Sequence, residues 1–302
     1  MPIIPVAADP VREEAAKRER QKQRALEKLN SLAGKGVSLN RQVFFVPGWT
    51  GEEGKAWKEP YPKLLKGHGP IKNWIDRIVR NPDRVTYVSY LDFSVEESKA
   101  SASFLDFGEL LKKKVRSKPA SDEPIDLIGH SMGGLDIVAA ITQGNDALMN
   151  VENCVTVASP LKGVPYGRFV EQVDKLLPFL HWEPYHHIQV RNMDEHCKAI
   201  RQINELENRA RLLESVKALY QLEGTQDSTV MRNARLRTDG LPETLKQKVN
   251  QLVIEGASHS GATGITQDPR TMLHLISVIA DVPIEKPTMN YGFVYVRKGN
   301  AA

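Results

Sequence analysis

The sequence predicts an α/β protein: a mostly parallel sheet of about six strands flanked by helices, with a helical cap inserted after the fourth strand. Three observations carry this reading. Short apolar runs alternate along the chain with helix-length amphipathic stretches, the rhythm of a parallel sheet covered on both faces. One run passes straight into Gly129-His130-Ser131-Met132-Gly133 and then into a helical pattern. The interval between the fourth and fifth runs is far longer than one crossover helix requires.

The strand expectations, in order, are Gln42 to Val46, Arg84 to Tyr90, Ile125 to Ile128, Asn153 to Ala158, Lys217 to Leu222 and Gln251 to Glu255. Each is short, apolar and bounded by turn residues. Helical spacing is expected over Ile71 to Arg80, Glu97 to Lys114, Met132 to Thr142 and Asp268 to Ala280. Within the long interval, Phe169, Val170, Val173, Leu176, Leu177 and Leu180 follow helical spacing. So do Ile200, Ile203, Leu206, Ala210, Leu213 and Val216, and the polar, aromatic segment His181 to Asn192 joins the two. This pair is read as a cap over about residues 160–216. The tail from Tyr291 to Arg297 alternates apolar residues, as an edge strand or a dimer contact would.

With 302 residues, 41% hydrophobic and 26% charged, the chain has enough apolar material for one sizeable core. That excludes disordered, collagen-like and disulfide-stapled classes. The two cysteines, Cys154 and Cys197, could form one bridge at most, and neither is a good candidate nucleophile. Net charge is +4, of which residues 1–35, with eight Lys/Arg against five Asp/Glu, carry +3. Those residues read as a charged N-terminal helical arm, with Leu26, Leu29 and Leu32 as a thin apolar complement, and residues 36–302 as one domain. No basic stripe interleaved with aromatics occurs outside the arm, so no nucleic-acid partner is expected. The absence of a secretory signal and of a long apolar run points to a cytoplasmic protein with no transmembrane segment.

The chemistry concentrates at Gly129-x-Ser131-x-Gly133. A serine on a tight strand-to-helix turn is presented at the carboxyl end of the sheet, and the neighbours two residues either side must be small. A serine hydroxyl is a weak nucleophile at neutral pH, so it needs a general base and an acid to orient that base. In a sheet enzyme these sit just beyond later strands. The loop Glu223-Gly224-Thr225-Gln226-Asp227 offers Asp227, with Glu223 as competitor, and Gly256-Ala257-Ser258-His259 offers His259. Two backbone donors should hold a tetrahedral oxyanion: Met132 N–H, following the nucleophile, and Trp49 N–H in Val46-Pro47-Gly48-Trp49-Thr50-Gly51 after the first strand. His181 to His187, with Asp194, Glu195, His196 and Cys197, lacks recognisable ligand spacing, so neither a metal nor a cofactor is expected.

The segments around Gly48, Ser131, Asp227 and His259, over roughly residues 36 to 285, together resemble the α/β-hydrolase superfamily. Leu127-Ile128-Gly129-His130-Ser131-Met132-Gly133-Gly134, and Val155-Thr156-Val157-Ala158-Ser159-Pro160 with Gly163, resemble bacterial triacylglycerol lipases and GPI inositol-deacylase-like serine esterases. The resemblance implies hydrolysis of a small-molecule or lipid-like ester through an acyl-serine intermediate, under a helical cap. Many relatives have His-Gly in the oxyanion loop where this chain has Pro47-Gly48. The same residues would serve an acyltransferase, a thioesterase or an amidase, and a catalytically inactive binding protein is the reading from another class. Homo-oligomerisation is left open.

Overall fold

An apolar run that extends as a strand sends successive side chains to opposite faces, so a run apolar throughout needs cover on both. A computed structural model describes residues 10–48, 71–89, 103–118, 123–144, 146–165, 191–230, 234–259, 263–283 and 293–295. In chain order its elements are α1 (Pro10–Lys35), β1 (Gln42–Val46), α2 (Ile71–Ile78), β2 (Val85–Tyr87), α3 (Phe104–Arg116), β3 (Ile125–His130), α4 (Met132–Thr142), β4 (Val151–Val157), α5 (Lys198–Ile203), α6 (Leu206–Ser215), β5 (Val216–Gly224), α7 (Glu243–Lys246), β6 (Val249–Ile254), α8 (Pro269–Ile279) and β7 (Phe293–Tyr295). The strands form one sheet in the order β2-β1-β3-β4-β5-β6-β7. The first six are parallel, and β7 pairs antiparallel with β6 at the edge. The alternating tail supplies that edge strand.

Alternation sorts the apolar residues into two cores. Phe44, Val46, Leu127, Cys154 and Leu219 pack on one face beneath α3, α4 and α6. Val43, Phe45, Ile128, Val155, Val157 and Leu222 pack on the other beneath α1, α2 and α8. All six residues of β3 are buried, so the strand that leads to Ser131 lies deep in the sheet.

Element ends depart from the sequence reading where local chemistry intervenes. Helix α3 starts at Phe104 because Ser103 and Asp106 form a reciprocal capping box. Residues 97–102 of the expected helix lie outside the described residues. Strand β2 covers Val85–Tyr87 only, since Pro82–Arg84 forms a 3₁₀ turn before it. Helix α1 is less solvated than its composition suggested. Ala25, Leu29 and Leu32, spaced four and three residues apart, are buried against α2 and α8, while the first half of the helix stays exposed.

The long interval also divides differently. Its first helical pattern, Phe169 to Leu180, lies outside the described residues. The second is two helices, α5 and α6, broken at Asn204 and Glu205. Helix α6 packs on α4 and β5, in the layer covering the sheet, with Leu212 and Leu213 fully buried. It is thus a crossover helix into β5. Periodicity locates an apolar face without saying which surface that face meets. Among the described residues, no helix is long and apolar enough to cross a membrane.

Helix α8 buries His274 among Met272, Leu273, Leu275 and Ile276, its ring edge-on to Tyr220 at 5.4 Å. Burial lowers its pKa from 6.5 to about 4. Below pH 6.5 the unfolded chain binds a proton that the native state refuses, so stability falls as pH drops until the native ring itself protonates. Replacing His274 by Phe removes this contribution. Urea melts between about pH 6 and pH 5 should show stability falling less steeply in H274F than in wild type, by up to about 1.4 kcal/mol per pH unit.

Candidate active site

Successive strands β1 and β2 run to one side of the sheet, and β3 then returns to the other side of β1. The crevice at the carboxyl ends of β1 and β3 is therefore a topological switch point, where open α/β sheets place their sites. Ser131 sits there, between β3 and α4, with φ 54° and ψ −124°. That conformation is unfavourable for any residue with a Cβ. Ser131 N–H donates to the Val157 carbonyl at 2.9 Å, tying the turn to β4.

Close packing explains the two flanking glycines. A Cβ on Gly129 would stand 2.5 Å from the Gly133 carbonyl oxygen, and a Cβ on Gly133 would collide with the Pro47 carbonyl. A Cβ on Gly48 would lie 3.0 Å from that of Ser131, so the segment after β1 rests against the serine. Met132 is the first residue of α4, where backbone N–H groups lack intrahelical acceptors. Trp49, the other expected donor, lies outside the described residues.

The loops after β5 and β6 bring a carboxylate and an imidazole to this serine. Asp227 Oδ1 accepts the backbone N–H groups of Thr229 at 2.9 Å and Val230 at 2.7 Å. This fixes the carboxylate and leaves Oδ2 2.9 Å from His259 Nδ1. The His259 loop is closed at its base, where Ser258 N–H donates to the Thr263 carbonyl and Ile265 N–H to that of Ser258. His259 Nε2 lies 3.0 Å from Ser131 Oγ. With Nδ1–H donating to the carboxylate, the Nε2 lone pair faces the hydroxyl, the arrangement in which an imidazole can accept its proton. The carboxylate side chain is 2% exposed and the imidazole 13%.

Glu223 points elsewhere: its Oε2 is 2.7 Å from Arg235 Nε, and burial raises its pKa despite that cation. Cys154 is fully buried in β4, its thiol pKa pushed up to about 12 by burial. Cys197 Sγ donates to the Asn192 carbonyl and accepts from Ile200 N–H at the start of α5. Asp194 Oδ1 accepts His196 N–H in the same turn. Among the described residues no group of three or more His, Cys, Asp or Glu could hold a metal ion. His181 to His187 lie outside the described residues. The sequence reading gave no role to His130, which the fold buries against His259 with ring centroids 5.1 Å apart. Its adjacency to Ser131 was the available signal.

Residues 109–254, just under half of the chain, match the family model described as the PGAP1-like alpha/beta domain. The chain carries a mostly parallel sheet covered by helices on both faces. The matched segment includes Ser131 and Asp227 and stops before His259. A comparison with curated proteins finds no match. Among solved structures, carboxylesterase CesB from Bacillus subtilis is similar at a TM-score of 0.46 and 13% identity, over 87% of this chain and 99% of that one. Phospholipase PlaB from Legionella pneumophila gives a TM-score of 0.49 and 14% identity, over 80% and 60%. The mature lipase BlEst2 from Bacillus licheniformis gives 0.42 and 15%, over 62% and 66%. This chain thus spans less than two thirds of the length of BlEst2 and of PlaB.

The elbow packing yields a direct expectation. The Gly129→Ala variant forces its new methyl against the Gly133 backbone at 2.5 Å, with no flexible side chain to give way. Chemical denaturation should show it less stable than wild type by about 2 kcal/mol or more.

Proposed function

We propose that this chain hydrolyses carboxylic esters by a serine mechanism, in which Ser131 is the nucleophile, His259 the general base and acid, and Asp227 the group that orients it. The observation that carries the reading is the hydrogen-bonded series from Ser131 Oγ through His259 to Asp227 Oδ2, at 3.0 and 2.9 Å. The sequence resemblance to serine esterases supports it.

In this reading Ser131 Oγ attacks the ester carbonyl carbon while its proton passes to His259 Nε2. The negative charge on the carbonyl oxygen is held by Met132 N–H at the positive end of α4, together with a donor from the loop after β1, for which the sequence suggests Trp49. Collapse breaks the bond to the alkoxy group, which leaves with the His259 proton as the alcohol, and the acyl group stays on Ser131. Water then loses a proton to His259 and attacks the acyl carbon; collapse breaks the bond to Ser131 Oγ, which takes that proton back from His259 as the acid leaves. Asp227 holds Nδ1–H throughout and stabilises the imidazolium formed in each half. The acyl group would meet the insertion that begins at Pro160. Leu161, Val164, Met193, Ile200 and Val230 extend the buried core into this region, apolar surroundings that suit a small or lipid-like ester over a charged substrate.

Hydrolysis of a p-nitrophenyl ester series from acetate to laurate tests the reading. Ser131→Ala and His259→Ala should each lower kcat by about 10⁴-fold or more, and Asp227→Asn by about as much, with folding matched by circular dichroism. Activity surviving in Ser131→Ala would refute the assignment, and transfer to an added alcohol in preference to water would make the chain an acyltransferase. A further expectation separates strain from chemistry. Ser131→Gly removes the Cβ that makes φ 54° unfavourable, so thermal melts should show a variant about 1 kcal/mol more stable than wild type and devoid of esterase activity.

A further inference from the structure

His130 precedes the nucleophile in sequence and is the last residue of β3. It is 7% exposed. Its ring touches the other two segments that converge on the switch point. A Cβ on Gly48 would stand 3.3 Å from His130 Nδ1 and 3.1 Å from the His130 carbonyl oxygen, so the segment after β1 lies directly on this residue. On the other side the ring stands against His259 at 5.1 Å between centroids, tilted by 35°. His130 Nε2 lies 3.4 Å from the His259 backbone carbonyl oxygen. A carbonyl only accepts, so this contact requires the proton on Nε2.

We infer that His130 is a positioning residue: its neutral imidazole donates Nε2–H to the His259 carbonyl and so couples the turn that carries Ser131 to the loop that carries His259. The inference rests on the serine-hydrolase reading for its effect on catalysis, and on geometry alone for the contact.

The physical case has three parts. First, Ser131 and His259 lie 128 residues apart, just beyond β3 and β6, with β4 and β5 between those strands in the sheet. The sheet pins the Ser131 turn through Val157, whereas His259 lies five residues beyond β6, and a link from the residue beside Ser131 to the backbone of His259 helps fix their separation. Second, the ring must be neutral. A second cation beside His259 would oppose formation of the imidazolium, and burial holds His130 at about 3, well below the ordinary histidine value of 6.5. Third, the span from β3 to that carbonyl calls for a donor at the distance of an imidazole Nε2. Gln places an amide N–H at about that reach, whereas Phe keeps the ring and Met the length without a donor.

The experiment compares full-length wild type with His130→Gln, His130→Phe and His130→Met, using p-nitrophenyl butyrate kinetics, the rate of labelling by a fluorophosphonate probe, and thermal melts. His130→Phe and His130→Met are expected to lose about tenfold or more in kcat with KM changed less than about twofold, and to label correspondingly slowly. His130→Gln should stay within about threefold of wild type on both measures. Equal rates in all variants would overturn the inference. So would a loss in folded His130→Gln as deep as in His130→Phe, because ring shape would then matter and not the donor.

Should every variant fail to fold, the wild-type chain still decides the matter. A long-range ¹H–¹⁵N spectrum of its histidine rings should show two buried imidazoles unchanged from pH 8 to pH 5, those of His130 and His274, and the His130 ring, told apart by its persistence in the H274F spectrum, should be protonated at Nε2. An Nδ1–H tautomer, or titration within that range, would overturn the contact. If wild type neither hydrolyses the ester nor reacts with the probe, the serine-hydrolase reading fails, and the spectrum still judges the contact separately.

Discussion

Everything at the carboxyl end of the sheet depends on how closely α4 approaches the end of β1. The helix follows a residue whose backbone is strained, and its first turn lies against the Pro47 carbonyl, a fit that leaves no room for a Cβ at Gly133. Strain at Ser131 persists because its neighbours over-determine it: Val157 accepts its N–H, Gly129 and Gly133 interlock, and Gly48 covers its Cβ. The same closeness turns the hydroxyl toward His259 and brings Pro47 and Gly48 against the turn that carries it.

The other end of the sheet supplies the counterpart. Arg41, just before β1, donates Nε–H to Asp126 on β3 at 3.0 Å, and its two terminal nitrogens to Asp281 beyond α8 at 2.7 and 2.9 Å. Asp126 also accepts both the backbone and side-chain N–H groups of Asn153. Burial pushes the Asp126 pKa up to about 6, with Arg41 as the strongest opposing influence. One guanidinium thus registers β1, β3 and the end of α8. Since α8 follows the His259 loop in the chain, this fork helps fix the helix against which that loop rests. A buried pair of this kind gives register more surely than it gives net stability.

Much of the architecture was legible in the sequence. Strand β1 and helix α4 fall on the expected residues, because continuous apolar runs and a glycine-bounded helix start are local signals. The start of α3 was set by a Ser103–Asp106 capping box that the apolar spacing upstream obscured. The buried stripe of α1 was under-read because its apolar members are only Ala25, Leu29 and Leu32, beside Gln21 and amid charge. Helix α6, expected in a cap, covers the sheet, since an apolar face has no address until its partner surface exists.

The sequence by itself determined that Ser131 would stand at a strand-to-helix turn, and that Asp227 and His259 would follow later strands, since each of these is a statement about neighbours along the chain. Tertiary structure alone decided that Asp227 and not Glu223 faces His259, because the connection after β5 folds back so that Arg235 engages Glu223. It alone decided that His130 would meet the His259 carbonyl. Both outcomes turn on distances between residues far apart in sequence, which the packing of the sheet fixes and local order along the chain leaves free.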